Sequence, residues 1–218
     1  MSRFKNLIIL EKMKSKRGNK TEIPPDLKDL NRLYDITSRY SFNTILEFGS
    51  GFSTVVMALA LKKQWVTSKK KKITKPIPKI FAIESSKKWA IKTMKNLKKC
   101  NLQKFAKIIL TKPKISIYNG QICHFYERLP DCVPDFIYLD GPDPKTVKGK
   151  INGLSFSKSD RPVISADFLK YEFCLKKDFF MLIDGRVQNV EFLKCNVKRK
   201  YSFKTNIKQN FTICKLIK

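Results

Sequence analysis

The sequence is poor in the residues that build metal sites and covalent cross-links. It has a single histidine, His124, and its six cysteines are scattered with no C-x-x-C pair. The spacing typical of a zinc site is therefore missing, and we interpret the cysteines as reduced thiols in a reducing compartment. No apolar run approaches the roughly 20 residues that a membrane-spanning helix needs. These shortages argue against a disulfide scaffold, a zinc domain and a membrane span.

Acidic residues are also scarce. The chain has 46 lysines and arginines against 18 aspartates and glutamates, which gives a formal net charge of +28. Such a balance can mark a protein that binds nucleic acid or an anionic surface. However, the excess is mostly lysine and is spread along the whole chain, whereas phosphate-binding surfaces usually rely on arginine with interleaved aromatic residues. A general lysine bias explains the charge as well, so nucleic acid is an open but not favoured partner.

The chain divides into a basic N-terminal arm, residues 1–25, and one domain, residues 26–218. Its length of 218 residues is within the range of a single domain with a substantial core. In the arm, the apolar patch from Leu7 to Leu10 is interrupted at once by Glu11. Because this patch is too short for the apolar region of a signal peptide, we expect the protein to be cytoplasmic.

Hydrophobic periodicity predicts helices that alternate with buried strands. We predict helices over residues 26–39, from Ser53 onward, and over residues 86–98, 165–174 and 187–195. We predict strands over residues 44–48, 79–84, 106–110, 135–140, 179–184, 200–205 and 211–217. An extended segment at 115–118 should lead into a short helix near 121–128, and residues 67–78 and 143–161 should form loops. This alternation predicts an α/β fold with three αβα layers, in which a doubly wound, Rossmann-like, mostly parallel sheet ends in a C-terminal antiparallel hairpin.

Four of the predicted strands end in a carboxylate. These residues are Glu47, Glu84, Asp140 and Asp184. Ligands of open α/β sheets bind outside the carboxyl ends of the strands. We therefore expect the four side chains to surround one ligand site.

The loop Gly49-Ser50-Gly51 follows the first strand and precedes a helix. Glycine permits a tight turn and the close approach of a ligand, and the start of the helix near Ser53 offers free N–H groups. A dinucleotide fingerprint would place a third glycine at position 54, where the chain has Thr54. The loop thus disfavours a pyrophosphate and an NAD-dependent oxidoreductase. Glu47 is suited to an amine-bearing ligand, and Glu84 to the two hydroxyls of a ribose.

These motifs resemble those of class I S-adenosylmethionine-dependent methyltransferases. Residues 45–51 are similar to their motif I, and Glu84 to their ribose-binding acidic position. Residues 135–140 and 179–184 are similar to their fourth and fifth strands, and the terminal hairpin to their sixth and seventh strands. The resemblance covers residues 30–218. The segments 139–144 (LDGPDP) and 183–186 (IDGR) further resemble a bacterial subgroup of methyltransferase-like proteins whose substrate the resemblance does not fix.

The resemblance implies that S-adenosylmethionine is the cofactor and methyl transfer the reaction. The implied cofactor-binding residues are Glu47, Gly49, Ser50, Gly51, Ser53, Glu84 and Asp140. Asp140 is also the candidate general base, and Asp184 either assists it or joins it in holding a divalent metal. Some enzymes of this fold use an aspartate after the fourth strand and an Asp-Asn pair after the fifth strand for a metal. Because Asp184 is followed by Gly185, we do not expect a divalent metal.

The methyl acceptor is not fixed by the sequence. We expect O-methylation of a small molecule or a glycan, with Arg186 either binding an anionic group of the substrate or pairing with Asp140 or Asp184. One alternative is a nucleic-acid methyltransferase, which often carries an Asn/Asp-Pro-Pro-aromatic motif where this chain has Asp140 followed by Gly-Pro-Asp. Another is a noncatalytic nucleotide- or nucleic-acid-binding domain of the same fold. His124 is either a base or a structural residue.

Overall fold

The computed structural model describes residues 26–159 and 161–217. The predicted basic arm, residues 1–25, lies outside the described residues. The helices are α1 (Leu27–Arg39), α2 (Phe52–Lys70), α3 (Lys87–Lys99), α4 (Phe168–Tyr171) and α5 (Val187–Asn196). The strands are β1 (Thr44–Phe48), β2 (Lys79–Glu84), β3 (Ala106–Leu110), β4 (Pro113–Tyr118), β5 (Gln121–Tyr126), β6 (Phe136–Leu139), β7 (Phe180–Asp184), β8 (Tyr201–Asn206) and β9 (Phe211–Leu216).

Seven strands form one sheet in the order β3-β2-β1-β6-β7-β9-β8. The first five are parallel to one another, and β9 is antiparallel to both β7 and β8. The chain runs outward from β1 to β3 and then returns to β6 on the other side of β1. This reversal of strand order lies between β1 and β6, and in open α/β sheets it opens a crevice at the carboxyl edge. The predicted Rossmann-like sheet with a C-terminal antiparallel hairpin is confirmed.

Each face of the sheet has its own hydrophobic core. On one face, α1, α2 and α3 pack with side chains such as Leu33, Met57 and Leu97. On the other face, the β4–β5 hairpin, α4 and α5 cover residues such as Phe48 and Ile183. Burial on both faces explains why the central strands read as continuous apolar runs rather than alternating ones. No helix in the described part of the chain is long and apolar enough to cross a membrane.

Three of the predicted elements differ in the structure. The predicted helix near residues 121–128 is wrong, because this segment forms β5 and pairs antiparallel with β4. Asn119 and Gly120, both with positive φ, make the tight turn typical of a two-residue hairpin. The predicted helix at 165–174 is reduced to the short α4 and a 3-10 turn at Glu172–Cys174. Helix α2 also extends to Lys70, four residues into the predicted loop, because exposed lysines are compatible with a helix.

Candidate active site

A cleft of about 530 Å³ opens at the carboxyl edge of the sheet, next to the reversal of strand order. Loops that follow β1, β2, β6 and β7 form its walls, as the shared direction of these strands requires. Seven of the nine predicted site residues line it: Gly49, Ser50, Gly51, Ser53, Glu84, Asp140 and Asp184. The other two, Glu47 and Arg186, are buried behind its walls.

The loop after β1 is held by hydrogen bonds at both glycines. Gly49 has a φ of +122°, a conformation that favours glycine, and its N–H donates to the Ile83 carbonyl at 2.8 Å. The Gly51 N–H donates to Thr54 Oγ1 at 3.1 Å, and that hydroxyl in turn donates to Glu47 Oε2 at 2.7 Å. Thr54 therefore fixes the loop from the position where a dinucleotide-binding fold would have its third glycine.

Glu47 lies under this loop and does not line the cleft. Its side chain is completely buried, and its two carboxylate oxygens accept hydrogen bonds from the hydroxyls of Ser53 and Thr54. Burial raises the pKa of Glu47 to about 8, although these two hydrogen bonds oppose the shift. The geometry therefore supports a positioning role for Glu47, which joins the end of β1 to the first turn of α2.

The raised pKa of Glu47 predicts that stability declines with pH. The folded state keeps the proton of Glu47 up to about pH 8, whereas the unfolded chain releases it near pH 4.5. The folded state thus binds more protons between these values, and this contribution to the free energy of unfolding falls as pH rises through that window. We expect a flatter pH dependence in Glu47→Gln than in the wild type, measured by urea unfolding from pH 5 to pH 8. If the free energy of unfolding changes with pH in the same way in both proteins, the raised pKa of Glu47 is contradicted.

Glu84 stands at the end of β2, where its carboxylate lines the cleft. Its Oε2 accepts a hydrogen bond from Ser50 Oγ at 2.6 Å, and its Oε1 accepts one from the Ser86 N–H at 2.8 Å. Burial raises its pKa above the usual value for glutamate. Hydrogen bonds from the backbone and side chain of Ser85 oppose this shift together with those of Ser50 and Ser86, so the carboxylate is fixed by its neighbours at a position where it lines the cleft.

Asp140 and Asp184 form the opposite wall of the cleft. Removal from bulk water raises the pKa of Asp140 above the usual range even though its side chain is 53% exposed to the cleft, and the Arg186 guanidinium opposes this shift. The nearest atoms of Arg186 and Asp140, Nη2 and Oδ1, are 3.9 Å apart. Asp184 Oδ2 accepts a hydrogen bond from the Tyr138 hydroxyl at 2.8 Å, and burial raises the pKa of Asp184. Asp140 is therefore the more accessible of the two carboxylates.

Four aromatic residues of the cleft wall, Phe52, Trp89, Tyr126 and Tyr138, were not predicted as site residues. Tyr138 belongs to β6, and its hydroxyl holds Asp184 in place. Trp89 belongs to the apolar stripe of α3 and also reaches the cleft. Tyr126 ends β5 and reaches the cleft from the hairpin, which sequence periodicity had predicted as a helix. In the sequence, only the Asn119-Gly120 turn indicated the hairpin that brings Tyr126 to the cleft.

The cleft is acidic although the protein is strongly basic. Six of its lining residues are aspartate or glutamate, namely Asp26, Asp29, Glu84, Asp140, Asp143 and Asp184. Within residues 26–159 and 161–217, no lysine or arginine lines it. In the same part of the chain, no three His, Cys, Asp or Glu residues are grouped so that they could hold a metal ion. The local field in the cleft therefore favours a ligand with positive charge.

The fold, and not the sequence, connects this chain to known proteins. No protein-family model matches the sequence, and no curated protein is significantly similar to it. Among solved structures, the chain is similar to an O-methyltransferase of Bacillus cereus in complex with S-adenosylhomocysteine, at 13% identity and a TM-score of 0.55, with 98% of this chain and 90% of that chain covered.

Two further solved structures agree with this result. A methyltransferase of Podospora anserina, also bound to S-adenosylhomocysteine, has 11% identity and a TM-score of 0.56, with 98% of this chain and 88% of that chain covered. The O-methyltransferase TomG of Streptomyces achromogenes, in complex with S-adenosylmethionine, has 11% identity and a TM-score of 0.52, with 99% and 89% covered. The chain therefore has the fold of the S-adenosylmethionine-dependent O-methyltransferases.

Proposed function

We propose that the protein is an S-adenosylmethionine-dependent methyltransferase that methylates an oxygen atom of a small molecule or a glycan. One observation carries the proposal. The glycine loop, whose Ser50 hydroxyl donates to Glu84, lines the same acidic cleft as Asp140. The similar solved structures, whose names identify them as methyltransferases with bound S-adenosylmethionine or S-adenosylhomocysteine, support it.

The residues of the cleft fit S-adenosylmethionine. Its sulfonium and amino groups give it a net positive charge, which the surrounding carboxylates stabilise. The carboxylate of Glu84, which lines the cleft at the end of β2, would accept hydrogen bonds from the ribose hydroxyls. Gly49, Ser50, Gly51 and Ser53 would hold the cofactor from the loop side, and when bound it would supply an electrophilic methyl group. Glu47 would contribute by fixing this loop from below.

Asp140 is placed to act on the acceptor. It is exposed to the cleft at the end of β6, and its raised pKa brings it closer to the pH at which a general base works best. It would accept the proton of the acceptor hydroxyl, while the Tyr138–Asp184 hydrogen bond keeps the neighbouring wall in place. The chain would otherwise contribute by aligning the acceptor with the methyl group, because alignment supplies much of the rate in such displacements.

Two other functions receive less support from the site. A nucleic-acid strand would have to approach a cleft with six carboxylates in its walls, which repel phosphates. A noncatalytic binding domain of the same fold would bind the cofactor without turnover. A screen for release of S-adenosylhomocysteine with small hydroxyl compounds and sugars distinguishes such a domain from an enzyme.

The first experiment is calorimetry with S-adenosylmethionine and S-adenosylhomocysteine. We expect a dissociation constant on the order of micromolar for the wild type and binding at least about tenfold weaker for Glu84→Ala, a loss of roughly 1.4 kcal/mol or more. Asp178→Ala is the matched control, because Asp178 is an exposed carboxylate that precedes β7, at the opposite edge of the sheet. Folded wild-type protein that binds neither compound would overturn the proposed function.

A further inference from the structure

The positive charge of the protein is concentrated in one part of the fold. Between residues 48 and 126 the sequence has eighteen lysines, no arginine and one acidic residue, Glu84, which is buried at the cleft. This stretch includes α2, β2, α3 and β3, and β3 is an edge strand of the seven-stranded sheet. Helices α1 and α5, by contrast, both carry acidic residues. A lysine bias of the whole chain does not explain why acidic residues are missing from this part of the fold.

Helix α3 turns lysines away from the sheet along its whole length. Its buried residues are Ala90, Thr93, Asn96 and Leu97. Its exposed residues, which we call the lysine face, are Lys87, Lys88, Ile91, Met94, Lys95, Lys98 and Lys99. Because the sequence of the helix contains no acidic residue, no ion pair between successive turns of α3 neutralises this charge.

Lysines of α2 and of the loop before β3 adjoin the lysine face. Lys62 Nζ of α2 donates a hydrogen bond to the Asn101 carbonyl at 3.2 Å, so this part of α2 lies beside the C-terminal end of α3. Lys63 and Lys104, close to these two residues in the sequence, are exposed. Like charges that the fold holds near one another repel, and an anionic partner lowers this repulsion.

Two apolar side chains lie among the lysines of α3. Ile91 is 39% exposed and Met94 is 48% exposed. Helical spacing places Lys87, Lys95 and Met94 next to Ile91 on the same face. Nucleic-acid surfaces usually rely on arginine and stacked aromatic rings, whereas the lysine face has no arginine and its exposed apolar side chains are not aromatic. Exposed apolar side chains surrounded by lysines are typical of helices that lie on anionic membranes.

We propose that the lysine face binds the surface of an anionic lipid bilayer. The lysines would lie near the negative headgroups, and Ile91 and Met94 would enter the headgroup region. The contact is peripheral and requires no membrane-spanning helix. The residues of the lysine face are not among those that line the cleft, so this proposal does not depend on the methyltransferase function.

The test is sedimentation of the full chain with vesicles of two parts phosphatidylcholine to one part phosphatidylserine, and with vesicles of phosphatidylcholine alone. We expect the wild type to bind only the anionic vesicles, and to bind less as potassium chloride screens the charges. Lys87→Glu/Lys95→Glu should bind at least about tenfold more weakly, because each lysine near such a surface contributes to the attraction. A glutamate at 87 favours the start of the helix, and unfolding in urea confirms that the variant is folded.

Lys204→Glu/Lys208→Glu is the matched control. It makes the same change in net charge at exposed residues of β8 and the turn after it, at the opposite edge of the sheet. We expect this variant to bind anionic vesicles more tightly than Lys87→Glu/Lys95→Glu does. The proposal is overturned if the two variants bind alike, if the wild type does not bind anionic vesicles, or if it binds both kinds of vesicle equally.

Met94→Gln distinguishes a bilayer from a nucleic acid, because it keeps every charge and removes an apolar side chain. We expect it to weaken binding to anionic vesicles several-fold and to leave binding to a labelled DNA duplex unchanged. Unchanged vesicle binding in Met94→Gln would overturn the bilayer as the partner. A loss of duplex affinity in Lys87→Glu/Lys95→Glu would then assign the lysine face to a nucleic acid.

Discussion

Asp140→Asn is expected to lower kcat for methyl transfer by about 10²- to 10⁴-fold, the usual contribution of a general base. Asparagine keeps the shape of the side chain but cannot take the acceptor's proton. Because the base must be deprotonated, kcat/KM of the wild type should rise with pH through a pKa above the usual aspartate range, the direction in which desolvation in the cleft and the negative charges of Asp184 and Glu84 shift the pKa of Asp140. Both quantities are measured as release of S-adenosylhomocysteine with an acceptor found in the screen.

The control for this variant is Asp143→Asn, three residues further along the same loop. Asp143 also lines the cleft, and its carboxylate caps a 3-10 turn by accepting from the Lys145 N–H, a role that asparagine can fill. We expect its kcat to stay near that of the wild type. If Asp140→Asn keeps wild-type kcat and the same pH profile, Asp140 is not the base.

The placement of three of the four strand-end carboxylates was predictable from the sequence. Runs such as 80–83 are continuously apolar, which is typical of parallel strands buried on both faces. Parallel strands bring their carboxyl ends to one edge, so Glu84, Asp140 and Asp184 were expected to meet, and all three line the cleft. The glycines of the first loop were predictable because the turn needs backbone conformations that other residues rarely adopt.

The direction of individual side chains was not predictable. Glu47 ends the same kind of strand as Glu84, but its carboxylate turns under the loop because Ser53 and Thr54 offer it two hydroxyl donors there. Tyr126 was missed because residues 121–126 alternate too weakly to distinguish a strand from a short helix. For Arg186 the sequence allowed either binding of an anionic substrate group or pairing with Asp140 or Asp184. Its burial between Asp140 and α5 depends on contacts with residues that are distant in sequence.

An aromatic cluster at the amino ends of the central strands was likewise invisible in the sequence. It brings together Tyr40 and Phe42, which precede β1, with Phe136 of β6 and Phe180 of β7. The ring centroid of Phe136 lies 5.1 Å from that of Phe42 and 4.8 Å from that of Phe180. Because β6 and β7 are neighbours in register, with Phe136 opposite Phe180, this cluster joins the two strands whose other ends carry Asp140 and Asp184.

Phe136→Ala is therefore expected to destabilise the whole sheet by about 3–5 kcal/mol, the usual cost of removing a buried phenylalanine. Phe136 is completely buried, and its ring packs against those of Phe42 and Phe180. The loss combines the transfer free energy of the ring with the cavity that its neighbours cannot fill. The measurement is the free energy of unfolding in urea at constant pH.

Phe173→Ala separates this effect from the general loss of a phenyl ring. Phe173 is 87% exposed, so its removal should change the free energy of unfolding by no more than about 0.5 kcal/mol. Equal effects of the two substitutions would mean that the aromatic cluster does not hold β6 against β7. A large loss in Phe136→Ala alone would show that the strands carrying Asp140 and Asp184 are anchored from the end opposite the cleft.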